Sequence, residues 1–342
     1  MTMIALITAA FFAAPVQTPP IPASLAPYIH DGVFDPGDYE WLRGRFEGAS
    51  PAEQATTETI DTWLAACREA GATEQRAELV SLGIDHPALS RTSLTNPVCA
   101  AVSLIEHVPP NLTWLDFQRA ITVASPVADS FLFATREAEH FDSTGGTSLR
   151  EQLLARPLGE QMLRGASSWG AGDANNAPTL PPLAKILVVA RINAAIAWRD
   201  HDNTRWLKAI VERDGWPRIS AVGAEAADRA WLLVQHADAD PAFQLRALRL
   251  MRPLVDKDEV SKRNYVFLYD RVMLKLTGKQ RYATQMHCVA GSYQPLPLED
   301  SAGADGYRQA FGLGTIAENR QRMVREYGPC PSESVGKIPL SD

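Results

Sequence analysis

Along most of the chain, apolar residues return every three or four positions, the spacing that builds one face of an α-helix. Leu183, Ile186, Leu187, Ala190, Ala194, Ala197 and Trp198 give the clearest such run. Local signals cut the pattern into helices. Ser50-Pro51-Ala52-Glu53 is a capping box with proline in the first turn, and it predicts a helix to about residue 70. Thr73 caps the next predicted helix, which Gly83 ends, and Asn96-Pro97, Thr113-Trp114 and Ser125-Pro126 each read as a cap and first turn. One helix is expected over 148–164. Another starts near Leu183, and Asn203 or Thr204 caps the segment after it, which Gly215 stops. Three more follow, over about 224–237, 241–256 and 262–277. After Gly278 the period changes. Segments 282–289 and 293–298, joined by Ala290-Gly291-Ser292, predict a β-hairpin with prolines at its edge. The expected fold class is therefore mainly α, a multi-helical array with a small C-terminal β-hairpin. No self-similarity at a fixed period marks a repeat array.

Composition changes this picture little. The 342 residues are 46% hydrophobic and 21% charged, as in ordinary folded domains, which excludes collagen-like, low-complexity and wholly disordered chains. A net charge of −7 argues against nucleic acid as a partner. Residues 4–14 (IALITAAFFAA) have the length of a signal-peptide core and are too short to span a membrane. The expected organisation is a signal peptide over 1–14, a Pro-rich linker over 15–27 and an N-terminal helical region over 28–164. A loop and boundary over 165–182 follows, then a C-terminal helical domain over 183–325 and a tail over 326–342. The mature chain carries no membrane span and is expected to be periplasmic or secreted, or cytoplasmic if the leader, which lacks Lys, Arg and an A-x-A site, does not function. Cys67, Cys99, Cys288 and Cys330 permit two disulfides, and local pairing is favoured among the three connectivities. Charge is uneven: residues 1–182 sum to −11 and residues 183–342 to +4, so the halves attract one another. An excess of +4 is too mild to imply an anionic ligand.

The informative stretch is Trp231-Leu232-Leu233-Val234-Gln235-His236-Ala237-Asp238-Ala239-Asp240. Its helix is apolar nearly all round and therefore buried. A buried Gln235 or His236 needs a partner or costs about 1–3 kcal/mol. Asp270 and Arg271 sit inside a second apolar helix, where charges are rare unless paired. His236 is the candidate general base and Asp270, or Asp228, its orienting carboxylate. His236-x-Asp238-x-Asp240 resembles a metal-ligand run, but Asp240-Pro241 is a helix cap and first turn, which removes one ligand. No metal and no cofactor is expected. G-x-S-x-G, G-x-G-x-x-G and P-loop motifs do not occur in the sequence.

Read together, Gly215-Trp216-Pro217, the WLLVQHAD run, Asp240-Pro241-Ala242-Phe243-Gln244, Tyr269-Asp270-Arg271-Val272 and Tyr282-x-Thr284-Gln285 resemble a bacterial family of unknown function, over about residues 205–315. Asp305-x-x-Arg308 and Phe311-Gly312-Leu313 extend the likeness. Members of that family often carry export or lipoprotein signals, but this chain has no lipobox cysteine. The resemblance implies one motif set comprising Trp216, Gln235, His236, Asp238, Asp270, Arg271, Tyr282, Thr284 and Gln285, and it implies no reaction. The family pattern has glycine where this chain has Ala283.

Two readings follow. In the first, the chain is a hydrolase acting through activated water on a small carbonyl- or carboxylate-bearing substrate. His236 and Asp270 are catalytic there, and Arg271, Gln285, Gln235, Tyr282, Thr284 and Trp216 bind a small-molecule or peptide ligand. In the second, the same polar set is a structural network in an envelope binding or scaffolding protein.

Overall fold

The computed structural model describes residues 18–85, 87, 94–106, 112–143, 148–170 and 177–330, so the expected leader and most of the expected tail lie outside it. Among these residues are twelve α-helices and two small antiparallel hairpins, the second of them C-terminal. The expected fold class therefore holds. No helix is long and apolar enough to cross a membrane among the described residues.

Several predicted helices fuse, because tertiary packing outweighs local stop signals. Helix α1 (Pro51–Ser81) starts on the capping box as expected, with the Ser50 hydroxyl accepting the Glu53 N–H and the Glu53 carboxylate accepting the Ser50 N–H. It then runs through Gly71 without a break. Thr73 caps nothing, and its hydroxyl donates to Glu69 one turn back. Burial of Trp63, Leu64, Cys67 and Leu79 along one helix offsets the ~1 kcal/mol cost of the internal glycine. Helix α2 (Pro97–Ile105) starts on Asn96, whose side chain accepts from Val98 and Cys99. Helix α3 (Trp114–Ser143) continues through Pro126, with Ala124 and Ala128 buried on either side. The helix expected over 148–164 divides at Pro157 into α4 (Leu149–Ala155) and α5 (Pro157–Ser167). Residues 165–170 of the expected loop are helical. Helix α6 (Pro182–Asp214) absorbs Asn203 and Thr204, which are buried in it and cap nothing.

Helices α7 (Ile219–Val222), α8 (Ala224–Gln235), α9 (Pro241–Val255) and α10 (Lys262–Thr277) follow, then α11 (Ala304–Ala310) and α12 (Ile316–Tyr327). A short hairpin, β1 (Ile29–His30) and β2 (Val33–Phe34), precedes them all. The C-terminal hairpin is narrower than expected: β3 (Met286–Val289) pairs with β4 (Ser292–Pro295). Ala290 and Gly291 form its two-residue turn with φ of 46° and 80°, the left-handed pair that matches strand twist.

Apolar side chains gather into two clusters. One contains Tyr39, Phe46, Phe117 and the first half of α6, and the other contains Phe243, Met251, Leu268 and Trp216. Helices α1 and α6 contribute to both, so they act as common beams. Disulfides join Cys67 to Cys99 and Cys288 to Cys330. The first ties α1 to α2, and the second ties β3 to the chain beyond α12.

Candidate functional site

The polar residues of interest lie where the two apolar clusters meet, around the middle of α6. Helix α8 ends at Gln235, and His236 is its C-cap. The chain then turns through Asp238 to Asp240, whose Oδ1 accepts the Phe243 N–H at 2.9 Å and so starts α9. Asp240 is thus engaged as a cap, as its sequence context predicts. Its other oxygen accepts from Lys208 Nζ at 2.8 Å.

The carboxylate beside His236 is Glu160 of α5. Its Oε1 touches the imidazole Nδ1, and its side chain is 0% exposed. The same oxygen accepts from Arg164 Nε at 2.5 Å, one turn along α5. Arg164 Nη2 then donates to both oxygens of Asp200 on α6, at 2.8 and 2.7 Å. Among the described residues, Glu160 Oε2 and His236 Nδ1 are both buried without a hydrogen bond of good geometry, so Nδ1 is in contact with Glu160 Oε1 rather than squarely bonded to it. His236 keeps 11% of its side chain exposed, and its Nε2 makes no hydrogen bond found among the described residues.

Burial pulls the His236 imidazole below its usual range, and contact with Glu160 only partly restores it. The ring is accordingly neutral near pH 7. Burial pushes the Glu160 carboxyl up, but His236 and Arg164 outweigh that and hold it below the usual carboxylate range. Burial pushes Asp200 up to about 8 against the pull of Arg164, with the Glu160 carboxylate adding to the push. Glu160, Asp200 and His236 each offer a ligand atom within 4.8 Å of the others. The positive charge among them belongs to the Arg164 guanidinium, which already occupies both carboxylates.

Arg271 stands beside this group. Asp238 accepts from Arg271 Nε at 3.0 Å, contacts Lys275 one turn further along α10, and accepts from Gln244 Nε2 at 3.3 Å. The Asp238 carboxyl is held well below its usual value because Lys275 and Arg271 outweigh its burial.

Asp270 is next to Arg271 in sequence but faces elsewhere. It is 0% exposed, and it accepts the backbone N–H groups of Arg281, Tyr282 and Thr284 at 2.9, 2.9 and 2.8 Å. The carbonyls of that loop are held as well: Arg308 Nη1 donates to Tyr282 and Ala283, and Asn319 Nδ2 donates to Ala283. Gln280 completes the loop, its side chain bridging both backbone groups of Gln285 and the Leu296 carbonyl. Asp270 thus organises a loop, and Glu160 takes the place beside the imidazole. Asp228 bonds to Asn264.

The predicted site residues therefore fall in three places. His236 and Arg271 are near the Glu160 centre, with the Gln235 carbonyl nearby accepting from Gln244. Tyr282, Thr284 and Gln285 belong to the Asp270 loop, where the Tyr282 ring packs edge-on against Tyr269 and Phe311. Trp216 lines a separate cleft with Trp231. Glu160, Arg164, Asp200 and Lys275 were missed. Only Asp200 carried a local signal, because it continues the helical face that runs through Ala190, Ala194 and Ala197.

The fold and the site together define a mainly helical protein with a buried His–carboxylate centre. Residues 185–329 match the model of a family of unknown function (DUF6624). That match encloses the stretch whose motifs carry the resemblance, and it excludes Glu160 and Arg164. No curated protein and no solved structure matches the chain.

Proposed function

We propose that this chain is an exported hydrolase that acts through activated water on a small carbonyl- or carboxylate-bearing substrate. One observation carries the reading: a buried carboxylate meets Nδ1 of a neutral imidazole whose Nε2 is not engaged. A carboxylate against Nδ1 favours the tautomer with its lone pair on Nε2, the form a general base requires. Nε2 takes one proton from water, the hydroxyl oxygen adds to the carbonyl carbon, and the imidazolium returns that proton to the leaving group. Glu160, held by Arg164, stabilises the imidazolium. Arg271, oriented by Asp238, is the group to bind the substrate's oxygen. Two disulfides support the exported part of the reading, since such bonds persist in oxidising compartments.

The scaffolding alternative also has an observation in its favour, the triple engagement of Asp238 by Arg271, Lys275 and Gln244. Assay of a panel of small esters, amides and acylated amino acids separates the two. The expected result is turnover by the parent, reduced about 10²–10⁴-fold in His236→Gln and also reduced in Glu160→Gln, with little change in melting temperature. No turnover anywhere in the panel, together with a melting temperature lowered by several degrees in His236→Gln, would assign the network to structure.

A further inference from the structure

A second site lies apart from His236, toward the start of α8. There a cleft of about 190 Å³ opens between α8, the start of α10 and Trp216. Its walls include the two indoles Trp216 and Trp231 with Ile219 and Met251, and its polar groups are Asp228, Ser261 and Asn264. Ser261 and Asn264 are already engaged. The Ser261 hydroxyl accepts the Asn264 N–H as the cap of α10, and Asn264 Nδ2 donates to Asp228 Oδ1 at 2.6 Å.

Two polar groups of the lining residues remain unengaged: Trp231 Nε1, buried without a hydrogen-bond partner among the described residues, and the second oxygen of Asp228, an exposed residue at the rim. Among the described residues that oxygen has no hydrogen bond, and Asp228 has no ion pair. No cationic side chain lines the cleft. We infer that this cleft binds a small primary alkylammonium group, with the ammonium donating to Asp228 Oδ2 and its short aliphatic stem against Trp216 and Trp231.

Three features select this class. The only formal charge is negative, and indole faces attract cations. A bare metal ion would find one carboxylate and apolar walls, too few oxygen ligands for a hard cation. The volume is below the ~300–1,000 Å³ of drug-sized pockets, which excludes nucleotides and extended peptides and leaves room for a short amine.

The test is titration of the whole protein with n-butylammonium and, separately, with its neutral counterpart 1-butanol, followed by tryptophan fluorescence and ligand-observed NMR. The expected result is a saturable response to the amine at least about tenfold tighter than to the alcohol. Asp228→Asn keeps the acceptor that Asn264 uses, and it should lose about tenfold for the amine while leaving the alcohol unchanged. Equal response to amine and alcohol, no saturable response to the amine, or undiminished amine binding by a folded Asp228→Asn protein would overturn the proposal. The comparison of amine with alcohol uses the parent protein alone, so it decides the matter even if the variant does not fold.

Discussion

Ala283 holds φ at +48° with its side chain wholly buried, and its carbonyl accepts from both Arg308 and Asn319. A left-handed backbone costs a residue bearing a Cβ about 1–2 kcal/mol, a cost glycine escapes. Glycine in turn adds about 0.4–1 kcal/mol of unfolded-state entropy to be lost. Ala283→Gly should therefore be neutral or stabilising by up to about 1 kcal/mol in urea unfolding, whereas Ala283→Val should destabilise by more than 2 kcal/mol. A clear loss of stability in the glycine variant would show that the buried methyl group matters more than the backbone strain. The sequence already marked this position, because glycine stands there in the pattern the chain resembles. The motif set was likewise legible as residues, but not their grouping: successive positions on a helix point about 100° apart, so Asp270 and Arg271 serve opposite neighbours.

The loop over 280–285 owes its shape to one carboxylate on α10. Asp270→Asn keeps the size but replaces one acceptor oxygen with an N–H₂ group, which then faces backbone donors. An expected loss of about 2–4 kcal/mol follows, with faster hydrogen exchange at the amides of Arg281, Tyr282 and Thr284. Unchanged exchange at those amides would mean that Arg308 and Gln280 suffice to hold the loop. Helix starts could be read locally because a cap is a contact between residues three apart, as at Ser50, Asn96 and Asp240. Helix continuations through Gly71, Pro126 and Asn203 could not, because distant packing decides them. Glu160 was hidden for the same reason. It approaches His236 only when α5 packs on α8, and no motif spans the 76 positions between them.

Across the whole molecule, the two apolar clusters leave a polar belt around the middle of α6, where acidic and basic halves meet. Arg156 pairs with Asp202, Arg164 with Asp200, and Lys208 with Asp240. These pairs do not realise the attraction expected from the uneven charge of the two halves, since Arg156 and Arg164 are bases of the acidic half and Lys208 and Asp240 both belong to the basic half. That attraction is seen where Arg191 meets Asp129 and Arg199 meets Glu139. The belt contains carboxyls shifted in opposite directions, and the signs fix how stability responds to pH. Asp238 is lowered, so its contribution is complete above its unfolded value near 4 and is lost on acidification. Asp200 is raised to about 8, so the fold favours its protonated form; that contribution is complete below about pH 4 and disappears as pH rises through 8. Buried His236 has the reverse effect only below its unfolded value near 6.5, where the unfolded chain binds the proton more readily. Between about pH 7 and 8, then, Asp200 acts with the least interference. Stability should fall across that interval, by at most about 1.4 kcal/mol per pH unit for a single proton. Asp200→Asn cannot titrate and should flatten the slope, which urea midpoints measured at both ends of the interval will reveal. Parallel parent and variant curves would instead mean that the bidentate Arg164 contact keeps Asp200 ionised throughout, leaving the belt as a set of fixed ion pairs.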